Sequence, residues 1–582
     1  MTAAAGFWKT VVKVILVATS AFAVFANATT ILAPEYNRMV HWGLMGTATL
    51  LAFGHGGKAG PRRIDLLLTA LFIASTVFVI WDYPSYIQRT GIVTTAEVVF
   101  GIIMVVLVLE TTRRTVGLFL AAMVVVFIGY ALVGQHLSGL FAHRGYDASR
   151  LVGSLYLGSS SIYGLPMEIS ATFVIMFVLF GALLTYTGGD RWFMDLSLRL
   201  TGRLRGGPGL SAIISSALVG MISGSPVANV VITGNLTIPM MRRVGFEPHF
   251  AGATVAVAST AAMFTPPLMG AGAFLIAEFL QVAYRDVAMA AILPAALFYI
   301  SLVAVVYLRA VQLGIKAASD EPLPVLRRTI AQYGHMIPPV IVLVALVLSG
   351  RSLMQAACWS ILLTLGCSLL RSHTRITLTK LFAALEEGGR GVVAIAVACA
   401  SAGIIVGIIN LTGLGFTLSA ALTLLADGRP LLLLALVMVA ALLLGMAIPP
   451  TAVYIVLAGL SVPAMTAAGF EPLASHFFIF FYSSMGAVTP PVALAAYAAA
   501  ALAGSDVNRT GWTAFALGLA GYLIPFLAMY YTGLLLIGDA AGIVTAFVIA
   551  LGVVVIGAVG LYFVTQLCLG RFGRSATSPT AS

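Results

Sequence analysis

Ser223-Gly224-Ser225-Pro226 interrupts a largely apolar stretch that runs from Leu210 to Pro239. Proline removes a backbone donor and clashes with the preceding turn, and glycine loosens the chain, so a helix entering this stretch ends near its middle. The halves come to about 13 residues each, short of the roughly 20 that a helix needs to cross a hydrocarbon core about 30 Å thick. Arg203 and Arg205 precede the segment and Arg242 and Arg243 follow it. Short loops rich in Lys and Arg stay cytoplasmic, so both ends are predicted on one side of a membrane, as in a re-entrant hairpin.

The arrangement recurs at a constant offset of 224 residues. Gly245-Phe246-Glu247-Pro248 returns as Gly469-Phe470-Glu471-Pro472, and Thr265-Pro266-Pro267 returns as Thr489-Pro490-Pro491. The same offset pairs Pro226 with Pro450, Ala228 with Ala452, Pro239 with Pro463 and Ser259 with Ser483. A broken helix over 249–284 therefore follows the first hairpin. A second hairpin over 430–467, interrupted at Pro449-Pro450, precedes a second broken helix over 473–503. Asp427, Arg429 and Glu471 flank the second hairpin without a positive excess, which predicts entry from the opposite side. Inverted repeats with broken helices at corresponding positions are the sequence pattern of a transporter whose site lies near the bilayer midplane.

Composition agrees with a membrane setting. The 582 residues are 60% hydrophobic and 9% charged, against roughly 25% charged in soluble domains. Continuous apolar runs exclude a β-barrel, whose strands alternate. Further spans are predicted near 10–31, 40–54, 64–81, 95–110, 115–134, 168–188, 287–309, 335–350, 353–371, 391–410, 512–534 and 540–566. Basic loops at Lys58/Arg62/Arg63 and Arg113/Arg114 place both termini in the cytoplasm, and Arg571 and Arg574 fall in a disordered tail. The run after Lys9 and Lys13 is read as a retained first helix, not a cleaved signal peptide. Arg191 to Arg205 forms an amphipathic stretch suited to the membrane interface. The net charge of +11 sits in loops and implies no nucleic-acid partner. Cys358, Cys367, Cys399 and Cys568 lie in apolar runs without metal-ligand spacing.

Where a helix unwinds inside a membrane, its freed carbonyl and N–H groups need partners. Carbonyl and hydroxyl oxygens suit an alkali cation, and half-helix N-termini suit a carboxylate. The candidate ion- and substrate-binding residues are Ser223, Gly224, Ser225 and Asn229 at the first tip, with Ala447, Pro449, Pro450 and Thr451 at the second. Ser259, Thr265 and Pro266 in one broken helix correspond to Ser483, Thr489 and Pro490 in the other. Glu278 lies near a span end close to Arg285 and reads as interfacial. His476 reads as structural, and Gly206-Gly207-Pro208-Gly209 lacks the lysine and strand of a phosphate loop. No nucleophile–base or paired-acid constellation of an intramembrane enzyme appears.

The hairpin 223–229, the Gly-Phe-Glu-Pro segment and the run Thr265 to Phe279 resemble the fused permease subunit of TRAP (tripartite ATP-independent periplasmic) transporters, in the branch served by TAXI-type solute-binding proteins. The resemblance covers nearly the whole chain. It implies a small N-terminal four-helix domain over 1–112 and a transport domain with repeats over 113–310 and 353–536. Residues 311–352 would link the repeats, and 537–582 would add a C-terminal helix and tail. It further implies an elevator mechanism in the bacterial inner membrane and a small organic anion, such as a carboxylate, delivered by a periplasmic TAXI-type protein. No cofactor is expected beyond a coupling ion, Na+ or H+, held at the hairpin tips and broken helices. A stand-alone cation-coupled carboxylate symporter is the alternative, and the additional N-terminal module argues against it.

Overall fold

A computed structural model describes the backbone of residues 3–29, 31–54, 61–89, 92–316, 326–426 and 428–575. Among these residues the regular structure is entirely helical. Among the described residues eleven helices are long and apolar enough to cross a membrane, or twelve counting the segment 327–348. The all-α polytopic expectation stands. Lys58 and Asp427, and the side chains of Ser223 and Cys568, lie outside the described residues.

Helix boundaries coincide at the 224-residue offset, at Pro226 and Pro450, Pro248 and Pro472, and Ala261 and Met485. The first hairpin consists of Gly207–Ser223 and Pro226–Arg243, and the second of Pro430–Ala447 and Pro450–Ala467. The first broken helix is Pro248–Ala261 and Ala271–Leu280, and the second is Pro472–Met485 and Leu494–Ala503. A proline opens five of these helices, where its missing N–H has no intrahelical partner to lose and its fixed φ favours the first turn. Proline thus ends one arm and starts the next at the same residue.

Several lengths differ from expectation. The arms of the first hairpin run to 17 and 18 residues, not about 13, because Gly207-Pro208 starts a helix before the apolar run begins. Both arms of the second hairpin have 18 residues and are individually apolar enough to cross. The span expected over 391–410 belongs to a 35-residue helix, Leu378–Thr412, that takes in Lys380 and Arg390. A helix over Leu414–Ala426, not foreseen, follows it. The last helix continues to Ser575 and includes Arg571 and Arg574.

The chain divides into two compact units. The first comprises Met1–Gly189, Ala271–Arg285 and Tyr333–Ser483. Its pole is Leu378–Thr412, against which Ala3–Thr29, Pro34–Ala52, Thr95–Thr115, Ile175–Tyr186 and Pro450–Ala467 pack. Glycines permit the close approach that membrane helices rely on. A Cβ at Gly389 would lie 2.6 Å from the Leu16 carbonyl oxygen, and one at Gly403 would lie 2.3 Å from that of Ser161. Ser20 donates to the Leu385 carbonyl at 2.7 Å and Asn27 to that of Ala171 at 3.0 Å. Arg114, read from sequence as a loop charge, is instead 4% exposed and paired at 2.9 Å with Asp65, which is 0% exposed.

The second unit comprises Asp190–Gly270, Asp286–Gln332 and Ser484–Ser582. Here Pro248–Ala261 packs against both arms of the first hairpin and against Leu494–Ala503. A Cβ at Gly252 would come within 3.2 Å of the Ala499 carbonyl oxygen. The first unit contains the counterpart of this pairing: Ala271–Leu280 carries Gly272, where a Cβ would lie 2.2 Å from the Phe480 ring. Each unit therefore holds one hairpin, the first half of that copy's broken helix and the second half of the other copy's.

Arg114→Met is expected to destabilise the detergent-purified protein by about 3 kcal/mol, because it strands the buried Asp65 carboxylate. Asp65→Leu/Arg114→Met should recover a substantial part of that loss. Thermal unfolding followed by intrinsic fluorescence measures both, and equal midpoints for the single variant and the parent would refute the assignment.

Candidate functional site

The first hairpin turns over two residues. Gly224 takes a left-handed conformation, φ 65°, and its N–H reaches the Gly220 carbonyl at 3.2 Å. A Cβ is costly in that region of backbone space, so glycine is the natural occupant. Ser225 is extended, and its hydroxyl accepts from the Ala228 N–H at 3.4 Å, capping Pro226–Arg243. Ser223 is the last helical residue of the preceding arm.

Four residues inside the cap, the arms are tied together. Asn229 is fully buried, and its Nδ2 donates to the Ser216 carbonyl at 2.8 Å across the hairpin. The Ser216 and Thr233 hydroxyls meet at 3.0 Å one turn further. Gly220 makes room for this: a Cβ there would lie 2.1 Å from Asn229 Nδ2 and 2.5 Å from the Ala262 Cβ. Ser259 is buried three residues before Ala262, on the same face of its helix. Asn229 Oδ1 and Ser259 Oγ are both buried, and neither has a hydrogen-bond partner among the described residues. A buried polar atom left in that condition costs about 1–3 kcal/mol. An amide oxygen and a hydroxyl oxygen, hard and uncharged, are the donor types that an alkali cation takes.

The helix breaks are built on one plan in both copies. After Ala261 the chain tightens into a 3-10 turn, Ala262–Phe264, and the Thr265 N–H goes to the Ala262 carbonyl. That leaves the Ala261 carbonyl without its helical donor, and the Thr265 hydroxyl supplies one at 2.7 Å. The other copy repeats this: the Thr489 N–H goes to the Gly486 carbonyl, and the Thr489 hydroxyl donates to the Met485 carbonyl at 2.7 Å. Pro266–Pro267 and Pro490–Pro491 follow, both cis. The N–H of Met269 then closes on the Thr265 carbonyl and that of Ala493 on the Thr489 carbonyl. Met269 and Ala493 have φ of 53° and 38°. Tyr299 and Tyr522 complete the pattern, their hydroxyls pairing with Thr265 at 3.0 Å and Thr489 at 2.7 Å.

The second tip belongs to the first unit and is made differently. Ala447 ends one arm, Ile448 and Pro449 are extended, and Pro450 and Thr451 begin the next. In place of a hydroxyl cap, the Ala452 and Val453 N–H groups turn to the Pro449 carbonyl. Ser483 is buried like Ser259, but its hydroxyl donates to the Ile479 carbonyl at 2.6 Å. His476 is buried against the Tyr454 hydroxyl at 2.7 Å. Glu278 accepts from Gln281 Nε2 at 3.3 Å.

The second unit thus gathers Ser223, Gly224, Ser225, Asn229, Ser259, Thr265, Pro266, Thr489 and Pro490, while Ala447, Pro449, Pro450, Thr451 and Ser483 belong to the first. Sequence reasoning did not single out Tyr299, Tyr522 or Gly220. The tyrosines carried a signal, an aromatic hydroxyl in mid-span at nearly the repeat offset; Gly220 carried none, since only packing shows what a Cβ would strike.

A family profile described as "Tripartite ATP-independent periplasmic transporter, DctM component" matches residues 103–558. An uncharacterized protein, y4mL, of Sinorhizobium fredii is 25% identical over 70% of this chain and 97% of its own length. A C4-dicarboxylate TRAP transporter large permease protein, DctM, of Pseudomonas aeruginosa is 23% identical over 57% of this chain and 78% of its own. The isethionate TRAP transporter permease protein DctMQ of Oleidesulfovibrio alaskensis is 25% identical over 64% and 59%, respectively.

Thr265→Val and Thr489→Val each remove the hydroxyl that donates to a freed helix carbonyl and meets a tyrosine hydroxyl, and each is expected to cost about 1–3 kcal/mol. The serine variants, which keep the hydroxyl, should lie much closer to the parent. Unfolding midpoints that do not separate valine from serine at either position would contradict the capping role.

Proposed function

The chain belongs to the tripartite ATP-independent periplasmic transporter family as its DctM component, and on that premise we propose that it is the permease of a binding-protein-dependent, ion-driven importer. The cargo class is a small organic anion, with a carboxylate first among candidates. Members of this family perform secondary transport and act with a periplasmic solute-binding protein; for this chain we take that partner to be of the TAXI type. The setting is the inner membrane, with both termini cytoplasmic and an elevator movement carrying the cargo across.

One observation supports the coupling reading most: Asn229 Oδ1 and Ser259 Oγ, buried and without a hydrogen-bond partner among the described residues, sit where the first hairpin meets its broken helix. A cation bound there would replace the missing hydrogen bonds and draw on the Ser225 hydroxyl and Gly224 carbonyl at the nearby turn. With no carboxylate among these donors, a sodium ion suits them better than a proton, which needs a titratable acceptor. Substrate carboxylate would be met by free N–H groups at half-helix starts. The helix that begins after Ser225 offers a hydroxyl beside such groups.

Reconstitution in proteoliposomes tests the reading. Uptake is expected only with a cognate binding protein and an inward sodium gradient, and uptake by the chain alone would favour the stand-alone symporter. A proton gradient that substitutes fully for sodium would refute the sodium assignment. The hydroxyls of the two copies should also behave unequally. Ser259→Ala is expected to raise the sodium concentration for half-maximal uptake about tenfold, and Ser483→Ala less than twofold, since only the Ser483 hydroxyl is already committed to its own helix. Equal shifts would count against Ser259 as a ligand.

A further inference from the structure

Within the second unit, three helix ends meet around a cavity of about 480 Å³ that has no part in the site described above. The contributing ends are the last turn of Ile292–Gln312, with Arg309 and Gln312, and the first turns of Pro248–Ala261 and Val507–Leu517, with His249 and Arg509. Phe250, Trp512 and Leu561 supply much of the apolar wall. Among the described residues no Asp or Glu lines the cavity, although Glu247 pairs with its Arg309.

Its charge is unbalanced in a specific way. Arg309 is ion-paired with Glu247, donates to Gln312 Oε1 at 2.9 Å, and still has a buried Nε without a partner. The Arg509 backbone N–H is taken by Asp506, but its guanidinium makes no hydrogen bond or ion pair among the described residues. One guanidinium is therefore unspent at the mouth and another is incompletely satisfied deeper in. The two helix N-termini are offset by their N-cap residues Glu247 and Asp506 and by the C-terminus of Ile292–Gln312, so it is the unpaired Arg509 guanidinium that favours an anion. The mouth is built for an anion.

The floor is built for hydrocarbon. Beyond the cavity, which is walled mostly by apolar side chains, the helices close to a cleft of about 10 Å³ that shares Val305, Ala516, Leu517 and Leu561 with it and is lined further in by Ser301 and Val554. Ser301, Val305, Leu308, Arg309 and Gln312 recur at three- and four-residue spacing, so they form one stripe along a single helix. From Gln312 to Ser301 that stripe covers about 16 Å at 1.5 Å per residue. Across from it Val554, Gly557, Ala558 and Leu561 form a second stripe, and a Cβ on Gly557 would touch nothing within 4 Å. Trp512, 61% exposed, stands at the mouth in the manner of aromatic residues at a membrane–water boundary.

We propose that this cavity holds one anionic phospholipid, with its phosphate at Arg509 and Arg309 and the upper part of an acyl chain along the apolar wall of the cavity at Phe250, Val305, Leu308 and Leu561. A free phosphate or small anion shares the headgroup chemistry but has no use for so large an apolar wall. Lipid in the cavity would pack between Ile292–Gln312 and Leu561 of the last helix and so brace the helix that carries Tyr299.

The test uses the full chain in detergent and native mass spectrometry. Dioleoyl phosphatidylglycerol is expected to be retained as a single copy with about tenfold preference over dioleoyl phosphatidylcholine, which has the same chains. Arg509→Gln should reduce that preference to less than twofold, and Leu308→Trp, which adds bulk to the cavity wall, should weaken retention of both lipids. Inorganic phosphate at millimolar concentration should not displace the lipid. Equal retention of the two lipids, an undiminished preference in Arg509→Gln, or displacement by inorganic phosphate alone would overturn the proposal. Because Arg509 is exposed and unpaired, its variant should keep the parental unfolding midpoint, and a shifted midpoint would show that the residue serves the fold instead.

Discussion

An interrupted helix in apolar surroundings exposes backbone groups that water cannot reach, and this molecule contains two such interruptions 224 residues apart. Two consecutive prolines at each break remove two more donors. The threonine that precedes them answers the loss in both copies. Its hydroxyl donates to the carbonyl four residues back, and its oxygen also meets a tyrosine from the span that follows. The Thr-Pro-Pro signature is therefore a self-contained device: the prolines force the chain out of the helix, and the threonine makes the exit tolerable. With the exit secured, the backbone beyond it is held in a fixed shape instead of collapsing back into a helix.

From that device follows the composition of the two units. A break lets the halves of one helix belong to different packing environments, and here each unit takes a first half from one copy and a second half from the other. The packing pairs correspond: Gly252 faces Ala499 in one unit, and Gly272 faces Phe480 in the other. Small residues at these crossings matter because, in a lipid environment, helices associate through close contact and not through exclusion of water. A repeat that merely stood beside its copy would need no such exchange.

The architecture was readable from sequence because its strongest signals are local and chemical. Proline and glycine at a constant offset mark the turns, and the helix boundaries at Pro226, Pro248, Pro450 and Pro472 fall where those residues placed them. Lengths were less readable. Lys380, Glu386 and Arg390 look like a loop by hydropathy, yet they continue the pole helix because its outer turns lie beyond the apolar packing and can carry charge. Arg114 misled for the opposite reason: a cation expected in water is buried because Asp65, far away in sequence, neutralises it. At the candidate site, the hydroxyls and the amide were visible as residue types. Which of them are already satisfied was not, since that depends on atoms within a few ångströms.

That last distinction separates two copies that share a plan. Ser259 and Ser483 are equivalent by offset and both are buried, but one hydroxyl is unpaired while the other returns its proton to Ile479. Gly224-Ser225 presents a left-handed turn with a hydroxyl cap, whereas Ile448-Pro449 presents extended backbone with carbonyl partners only. The frame occurs twice, but a few side chains within it differ, and among the described residues Asn229 Oδ1 and Ser259 Oγ of the first copy are left unsatisfied while Ser483 is not. The two tips therefore differ in what they offer a ligand: side-chain oxygen beside a left-handed turn at the first, and backbone carbonyl beside extended proline at the second.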